Sequence, residues 1–318
     1  MDEFALIDRF FARRVGSRPD VELGIGDDAA VTLLPAGSAL VIASDAMCIG
    51  THFPPGTPPR ALGHRCLAIN LSDIAAMGAQ PLWCTLTLSL NEIDEIWLTE
   101  FADGFFALAD AYDTALIGGD TVRGPLTMTV TIHGAAQPNR CIRRDGAGVG
   151  EGIFVTGYPG EAGAGCGLAV AASGPHAGPE QALMRRFFYP TPRVREGLSL
   201  RGIATAMIDV SDGLHEDLGK LLAASRVGAD LSAEALPLSD DLLEYVGEER
   251  ALGLALTGGD DYELCFTVPR ANEQELARVS RDWSCPVTRL GETTAGGGVV
   301  WTRDQQPFTV PDTAFSHF

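Results

Sequence analysis

Aspartate recurs beside glycine and serine at the ends of apolar runs in this chain of 318 residues. Asp27 and Asp28 sit in Gly24-Ile25-Gly26-Asp27-Asp28-Ala29-Ala30-Val31, Ser44-Asp45 ends LVIASD, and Asp120 follows Gly118-Gly119. Asp209 and Asp212 flank Ser211 in DVSDG, and Asp260-Asp261 follow Gly258-Gly259. Asn70 and Asp73 lie three apart in LAINLSDIAAMGA, so a helix there puts both on one face. An aspartate set among Ile69, Leu71, Ile74 and Met77 is costly to bury without a partner. Taken singly, each motif also fits an Asx turn, a helix cap or a plain strand-end turn. Repeated, the pattern implies cations. Adjacent carboxylates repel, and Mg²⁺ takes oxygen ligands from one or two carboxylates plus substrate phosphates. The chemistry implied is phosphoryl transfer, in which catalysis is mostly positioning and charge neutralisation.

Basic residues fit the same scheme by their scarcity. Lys220 is the one lysine of the chain, and its setting, DLGKLLAA, is neither a P-loop nor a kinase strand lysine. Metal ions and arginine must then carry the positive charge. Arg143 and Arg144 in RRDGAGVGE are placed to clamp phosphate oxygens, or to lie as solvated linker charges. His52, in GTHFPP, lies in a loop just after the Asp45 strand, where it is a structural histidine or a ligand contact.

Composition excludes several classes. A formal charge of −19 argues against a general nucleic-acid binder and favours solubility. The seven cysteines form no CxxC pair, so a disulfide scaffold or zinc site is not expected. No apolar run reaches the roughly 18 to 20 residues of a membrane span. The first residues, MDEFALIDRFFARRV, lack the pattern of a signal peptide, so the expected location is the cytoplasm.

These side chains must be placed by an α/β framework. Amphipathic spacing predicts a helix over 3–15, with further helices over 60–78 and 94–112. Strands are expected over 40–45, 83–90, 114–120 and 126–134. A polar, Gly-rich stretch over 137–151 separates a second half, with strands at 152–157 and 263–268 and a strand-then-turn over 205–213. Its helices are expected near 165–174, 179–188, 193–203, 214–226 and 271–281. Two α/β domains follow, 1–138 and 139–318.

GIGDDAAV, Ser44-Asp45, THF, NLSDIAAMGAQP, LIGGDT, RRDGA, DVSDGL and GGDDYEL occur in one order between residues 24 and 264. Together they resemble the thiamine-monophosphate kinase family, within the superfamily of aminoimidazole ribonucleotide synthetase, selenophosphate synthetase and the hydrogenase-maturation protein HypE. The resemblance implies an N-terminal α/β domain with a four-stranded sheet through which a homodimer forms, and a C-terminal α/β sandwich domain. It implies direct transfer of phosphate from ATP to thiamine monophosphate, with no phosphoenzyme. Asp28, Ser44, Asp45, Asp73, Asp120, Asp209 and Asp212 would hold Mg²⁺, with Asp45, Asp73, Asp120 and Asp212 central to catalysis. Gly119, Asp120, Arg144 and Ser211 would contact ATP, and His52, Asp260 and Phe315 the thiamine substrate. The family usually carries Glu where this chain has Asp260, and often Trp where Phe315 aligns. Two other readings are an ATP-dependent synthetase of the same superfamily and a non-catalytic sensor of magnesium nucleotide.

Overall fold

The computed structural model describes residues 2–12, 18–171 and 176–311. The chain packs as two units, Met1–Ile74 with Ala79–Asn139, and Ala75–Gly78 with Arg140–Phe318.

The first unit opens with α1 (Glu3–Phe10), whose N-cap Asp2 accepts the Ala5 N–H at 2.9 Å. The helix ends earlier than its spacing suggests, and residues 13–17 lie outside the described residues. Two short strands, β1 (Val21–Leu23) and β2 (Val31–Thr32), pair antiparallel and frame the GIGDD loop. Then come β3 (Ala39–Cys48), α2 (Pro59–Ala76), β4 (Gln80–Leu90), α3 (Glu95–Ala111), β5 (Ala115–Arg123) and β6 (Thr127–Ala136). The four long strands form one sheet in the order β3-β6-β4-β5, antiparallel except for the β4–β5 pair. β6 alternates as far as His133, with Met128, Val130 and Ile132 buried between half-exposed threonines. Helix α2 is buried nearly all round, with Arg65, Asn70 and Ser72 among its buried residues, so it is a core helix, and its Ile74 packs against Gly134 of β6. Gly63 of α2 and Gly104 of α3 let the helices meet backbone to backbone. A Cβ on either would stand 2.0 Å from a carbonyl oxygen, of Phe101 or Arg60 respectively.

The other face of the sheet is covered over β4 and β5, where Val21, Ala30 and Leu34 pack on Trp83 and Ile117, but is bare along the β3 edge. Leu40, Ile42, Ser44 and Ala46 of β3 are exposed, Ile42 by 57%. For an antiparallel edge this is the usual one-sided burial, but with aliphatic residues on the open side.

The second unit contains β7 (Gly152–Thr156), α4 (Glu161–Ala171), α5 (Pro179–Phe188), α6 (Val194–Ser199), β8 (Ala206–Val210), α7 (Leu214–Ser225) and β9 (Gly228–Ser232). It continues with α8 (Asp240–Val246), α9 (Glu248–Thr257), β10 (Glu263–Val268), α10 (Glu273–Val279), β11 (Val287–Thr294), β12 (Val299–Arg303) and β13 (Gln306–Phe308). The seven strands lie in the order β13-β12-β9-β11-β7-β10-β8. Three of them, β7, β8 and β10, are buried along their whole length and read as apolar runs in the sequence. The four unforeseen strands are short or polar; β9 buries the small Gly228 and Ala229 with Leu231, and β11 and β12 bury single large residues, Leu290 and Trp301. Their pairing comes from the sheet rather than from local preference.

Candidate active site

In the first unit two of the aspartate motifs meet. Phe4, Ile7 and Phe11, the loop 24–30, Thr85 to Leu88 of β4, and Leu116 to Thr121 line a cleft of about 740 Å³. Asp27, exposed at the cleft, also accepts the Asp28 N–H at 2.8 Å. The Asp28 and Asp120 carboxylates are exposed at the cleft. Gly119 sits at φ +148°, and a Cβ there would lie 1.8 Å from the Leu86 carbonyl oxygen. Only glycine lets β5 press so closely on β4 at this point. None of the residues lining the cleft is basic among those described.

The remaining first-unit candidates are arranged by the register. Asp45 pairs with Val130, which pairs with Leu86, which pairs with Gly119. The next row is Ala46, Thr129, Thr87 and Asp120. Side chains alternate, so the Asp45 and Asp120 carboxylates leave the sheet on opposite faces. Ser44 is on the bare β3 edge, its Oγ 2.9 Å from Thr131 Oγ1 and donating to the Val130 carbonyl at 3.2 Å. Asp45 is on the helix-covered side, where Asn70 Oδ1 accepts its N–H at 3.0 Å. Asn70 is fully buried, and its Nδ2 donates to the Cys66 carbonyl at 2.9 Å. Asp73 lies one turn further along the same helix face, half-buried. His52 closes the turn after β3, its Nδ1 accepting the Cys48 N–H at 3.0 Å.

In the second unit the DVSDG and GGDDYE segments are docked together. The Asp260 N–H donates to the Ser211 carbonyl and the Tyr262 N–H to the Val210 carbonyl, both at 2.8 Å. Asp260 (φ +62°) and Tyr262 (φ +52°) are left-handed, a conformation rare for side-chain-bearing residues and concentrated at functional sites. Tyr262 Oη donates to Asp260 Oδ1 at 3.2 Å. Asp261, indistinguishable from Asp260 by sequence, instead accepts the Gly160 and Ala162 N–H groups at 2.8 and 3.2 Å, at the start of α4. Burial pushes its carboxyl well above the ordinary range.

Asp209 is buried in β8, opposite Leu264 of β10. Neither Ser211 nor Asp212 caps α7. The N-cap is Gly213, without a side-chain cap bond. The N–H groups of Ser211 and Asp212 both donate to Asp217 Oδ2 at 2.9 Å. Lys220 then bridges Asp217 Oδ1 at 2.9 Å and Asp212 Oδ2 at 2.5 Å. Burial raises the Asp217 carboxyl above its ordinary value, with Lys220 and the Asp212 N–H opposing only in part. Sequence reasoning missed Asp217. Its signal was an acid in the first turn of a helix, three residues before the lone lysine. RRDGA runs beside the start of β8, where the Met207 N–H donates to the Arg143 carbonyl at 3.3 Å. Arg143 forks onto Asp145 at 2.9 and 2.6 Å, while the Arg144 guanidinium is exposed. Phe315 lies outside the described residues. Among the described residues, no three His, Cys, Asp or Glu side chains gather closely enough to hold a metal ion by themselves.

The fold and these paired acidic motifs define the AIR synthase related class. The model of its N-terminal domain matches residues 26–136, and that of its C-terminal domain matches 148–303. Within that class the chain belongs to the thiamine-monophosphate kinase family. It is 46% identical to the thiamine-monophosphate kinase of Salmonella typhimurium over 320 residues, covering 99% of this chain and 98% of the relative. The crystal structure of thiamine-monophosphate kinase from Stenotrophomonas maltophilia superposes with a TM-score of 0.89 at 45% identity, covering 97% of this chain and 98% of that one. AaThiL complexed with AMPPCP and TMP superposes with a TM-score of 0.79 at 29% identity, covering 99% of this chain and 97% of that one.

Proposed function

We propose that this chain phosphorylates thiamine monophosphate to thiamine diphosphate at the expense of ATP, by direct in-line transfer. Family membership supports the reaction, and one observation carries the manner of it. The first-unit cleft offers three exposed carboxylates, Asp27, Asp28 and Asp120, a glycine floor and no described basic side chain. A polyphosphate would be repelled there unless cations came with it. The residues therefore fit Mg²⁺, which takes a few carboxylates and completes its shell with phosphate oxygens and water. Magnesium would supply charge neutralisation of the transferring phosphate.

The chain's own residues bind and orient. Asp28 and Asp120 hold metal at the cleft, and Gly119 lets the nucleotide approach the strand backbone. Asp45 and Asp73 extend the metal-binding set on the helix side of the sheet, and Ser44 on its open side. Within the second unit, Asp209 and Asp212 are assigned to metal, and Ser211 and Arg144 to nucleotide. His52, Asp260 and Phe315 are assigned to the thiamine substrate. The attacking oxygen belongs to a phosphate already ionised near neutral pH, so no strong general base is required.

The active species is assigned as a homodimer, with the bare β3 edge of the sheet face, bearing Leu40 and Ile42, as the surface a second copy would cover. No described helix is long and apolar enough to cross a membrane. A cytoplasmic setting is supported by seven cysteines that are all free thiols and by ATP as the donor.

The test is ADP and thiamine diphosphate formation from ATP and thiamine monophosphate, for wild type, Asp28→Asn and Asp120→Asn. Turnover by wild type and a loss of roughly a hundredfold or more in kcat for both folded variants are expected. Full activity in both variants would remove the cleft from the reaction.

A further inference from the structure

The lone lysine sits in the acidic motif of the second unit. Lys220 Nζ lies 2.5 Å from Asp212 Oδ2, 2.9 Å from Asp217 Oδ1 and 3.2 Å from Glu216 Oε1. The roles of the two aspartates differ. Both Asp217 oxygens are committed, Oδ2 to the Ser211 and Asp212 N–H groups and Oδ1 to Lys220. Asp217 is therefore structural, a buried anchor for the turn. Asp212 is 39% exposed at its side chain, and Lys220 Nζ bonds its Oδ2. The ammonium thus neutralises the carboxylate and fixes its orientation. Lys220 is itself 37% exposed, so its flexible stem can carry the charge into solvent.

We propose that Lys220 is a positioning residue of the kinase reaction, the resident counter-cation of Asp212, and that it sets how much Mg²⁺ the enzyme requires. A divalent cation bound by Asp212 would share one carboxylate with an ammonium only a few ångströms away. The two cations repel, so metal binding displaces Lys220 from Asp212 or is weakened by it. Removing the lysine charge then raises magnesium affinity, although it weakens the metal-free fold by leaving Asp212, Glu216 and Asp217 unneutralised. The inference rests on Asp212 as a magnesium ligand.

The experiment is a MgCl2 titration of the full chain with AMPPCP, read by thermal melting, beside the Mg²⁺ dependence of ADP formation. Wild type, Lys220→Met, Lys220→Gln, Lys220→Arg and Asp212→Asn are compared. Both neutral variants should melt lower without metal and half-saturate at roughly three- to tenfold less Mg²⁺, the scale of a partly exposed charge contact. Lys220→Arg keeps the charge and should stay within about twofold of wild type. Lys220→Gln retains a hydrogen-bond donor, so it reports the charge effect should the Met variant not fold. An unchanged or increased magnesium requirement in the folded neutral variants overturns the proposal and leaves Lys220 a purely structural residue. The Asp212→Asn arm separates the two failures. If that variant titrates like wild type, Asp212 is not a ligand and the reading beneath the proposal falls, whatever Lys220 does.

Discussion

Asn70 Oδ1 accepts the backbone N–H of Asp45 at 3.0 Å, which ties the outer strand of the first sheet to its core helix. Asp45 lies on an edge strand, where an N–H facing away from the sheet has no ladder partner. The amide of Asn70 satisfies it and is itself held by the Cys66 carbonyl. Backbone placement of a proposed metal ligand is thus delegated to a neutral, fully buried side chain. The polar pair read from the sequence splits into a clamp, Asn70, and a candidate ligand, Asp73.

Asn70→Ala should therefore lower stability by about 1–3 kcal/mol, the cost of leaving buried polar groups unpaired. It should also lower kcat at least about tenfold, because the Asp45 strand loses its tether. Urea denaturation and kinase assays measure the two effects separately. Reduced stability with full activity would show that Asp45 is positioned by other contacts.

Gly119→Ala places a methyl group where only 1.8 Å separates it from the Leu86 carbonyl oxygen, at a positive φ. Strand β5 must shift away from β4, and the cleft shared by Asp28 and Asp120 changes shape. A loss of about 1–3 kcal/mol in stability is expected from strain alone. AMPPCP binding in the presence of MgCl2 should weaken more than stability does. Calorimetric titration of the folded variant checks this, and wild-type affinity would show that nucleotide does not use this part of the strand.

The GIGDD and LIGGD motifs were legible because glycine beside aspartate is a local signature that survives without the fold. Their meeting in one cleft was implied only by repetition. The separation of Asp45 from Asp120 across the sheet was not legible, since it depends on register, and register depends on which strands pair. Asp260 and Asp261 look equivalent as letters. Their fates diverge because Gly160 and Ala162, about a hundred positions upstream, present N–H groups to Asp261 alone. Likewise β9, β11 and β13 carry no apolar run that marks them as strands, and β12 offers only the three residues Val299, Val300 and Trp301. The magnesium question turns on Lys220, which the sequence only excluded from known motifs.

Arg193 and Glu263 form a forked ion pair at 2.6 and 2.5 Å, with side chains 3% and 6% exposed. Thr156 Oγ1 donates to Glu263 Oε2 at 2.6 Å, completing the carboxylate's partners. Burial alone would lower the Arg193 pKa, but Glu263 more than reverses this, so the guanidinium stays charged. Arg193→Met strands a buried carboxylate and should cost about 3–5 kcal/mol, seen as a lower guanidinium midpoint. The double variant Arg193→Met, Glu263→Gln should recover much of that loss. If the double variant is as unstable as the sum of the singles, the two residues are not coupled.

His215 supplies a pH dependence with a defined sign. Its Nδ1 accepts the indole N–H of the buried Trp301 at 3.1 Å, which requires that nitrogen to be unprotonated. Burial lowers the His215 pKa below its ordinary value of about 6.5, with Glu216 opposing the shift. The unfolded chain therefore binds a proton more readily than the folded one below about pH 6.5. Stability from this group is complete above that pH and is lost as the pH falls through the lower folded value. His133, also lowered by burial, acts in the same direction. His215→Asn keeps a side-chain acceptor but cannot titrate. Melting midpoints from pH 7.5 to 5 should fall less steeply for this variant than for wild type, with the difference confined to the acid side. Trp301 emission should shift to the red on acidification in wild type and stay closer to its neutral-pH position in His215→Asn. Parallel pH profiles for the two proteins would mean that the Trp301 contact survives protonation and that the acid loss belongs to His133 and the carboxylates.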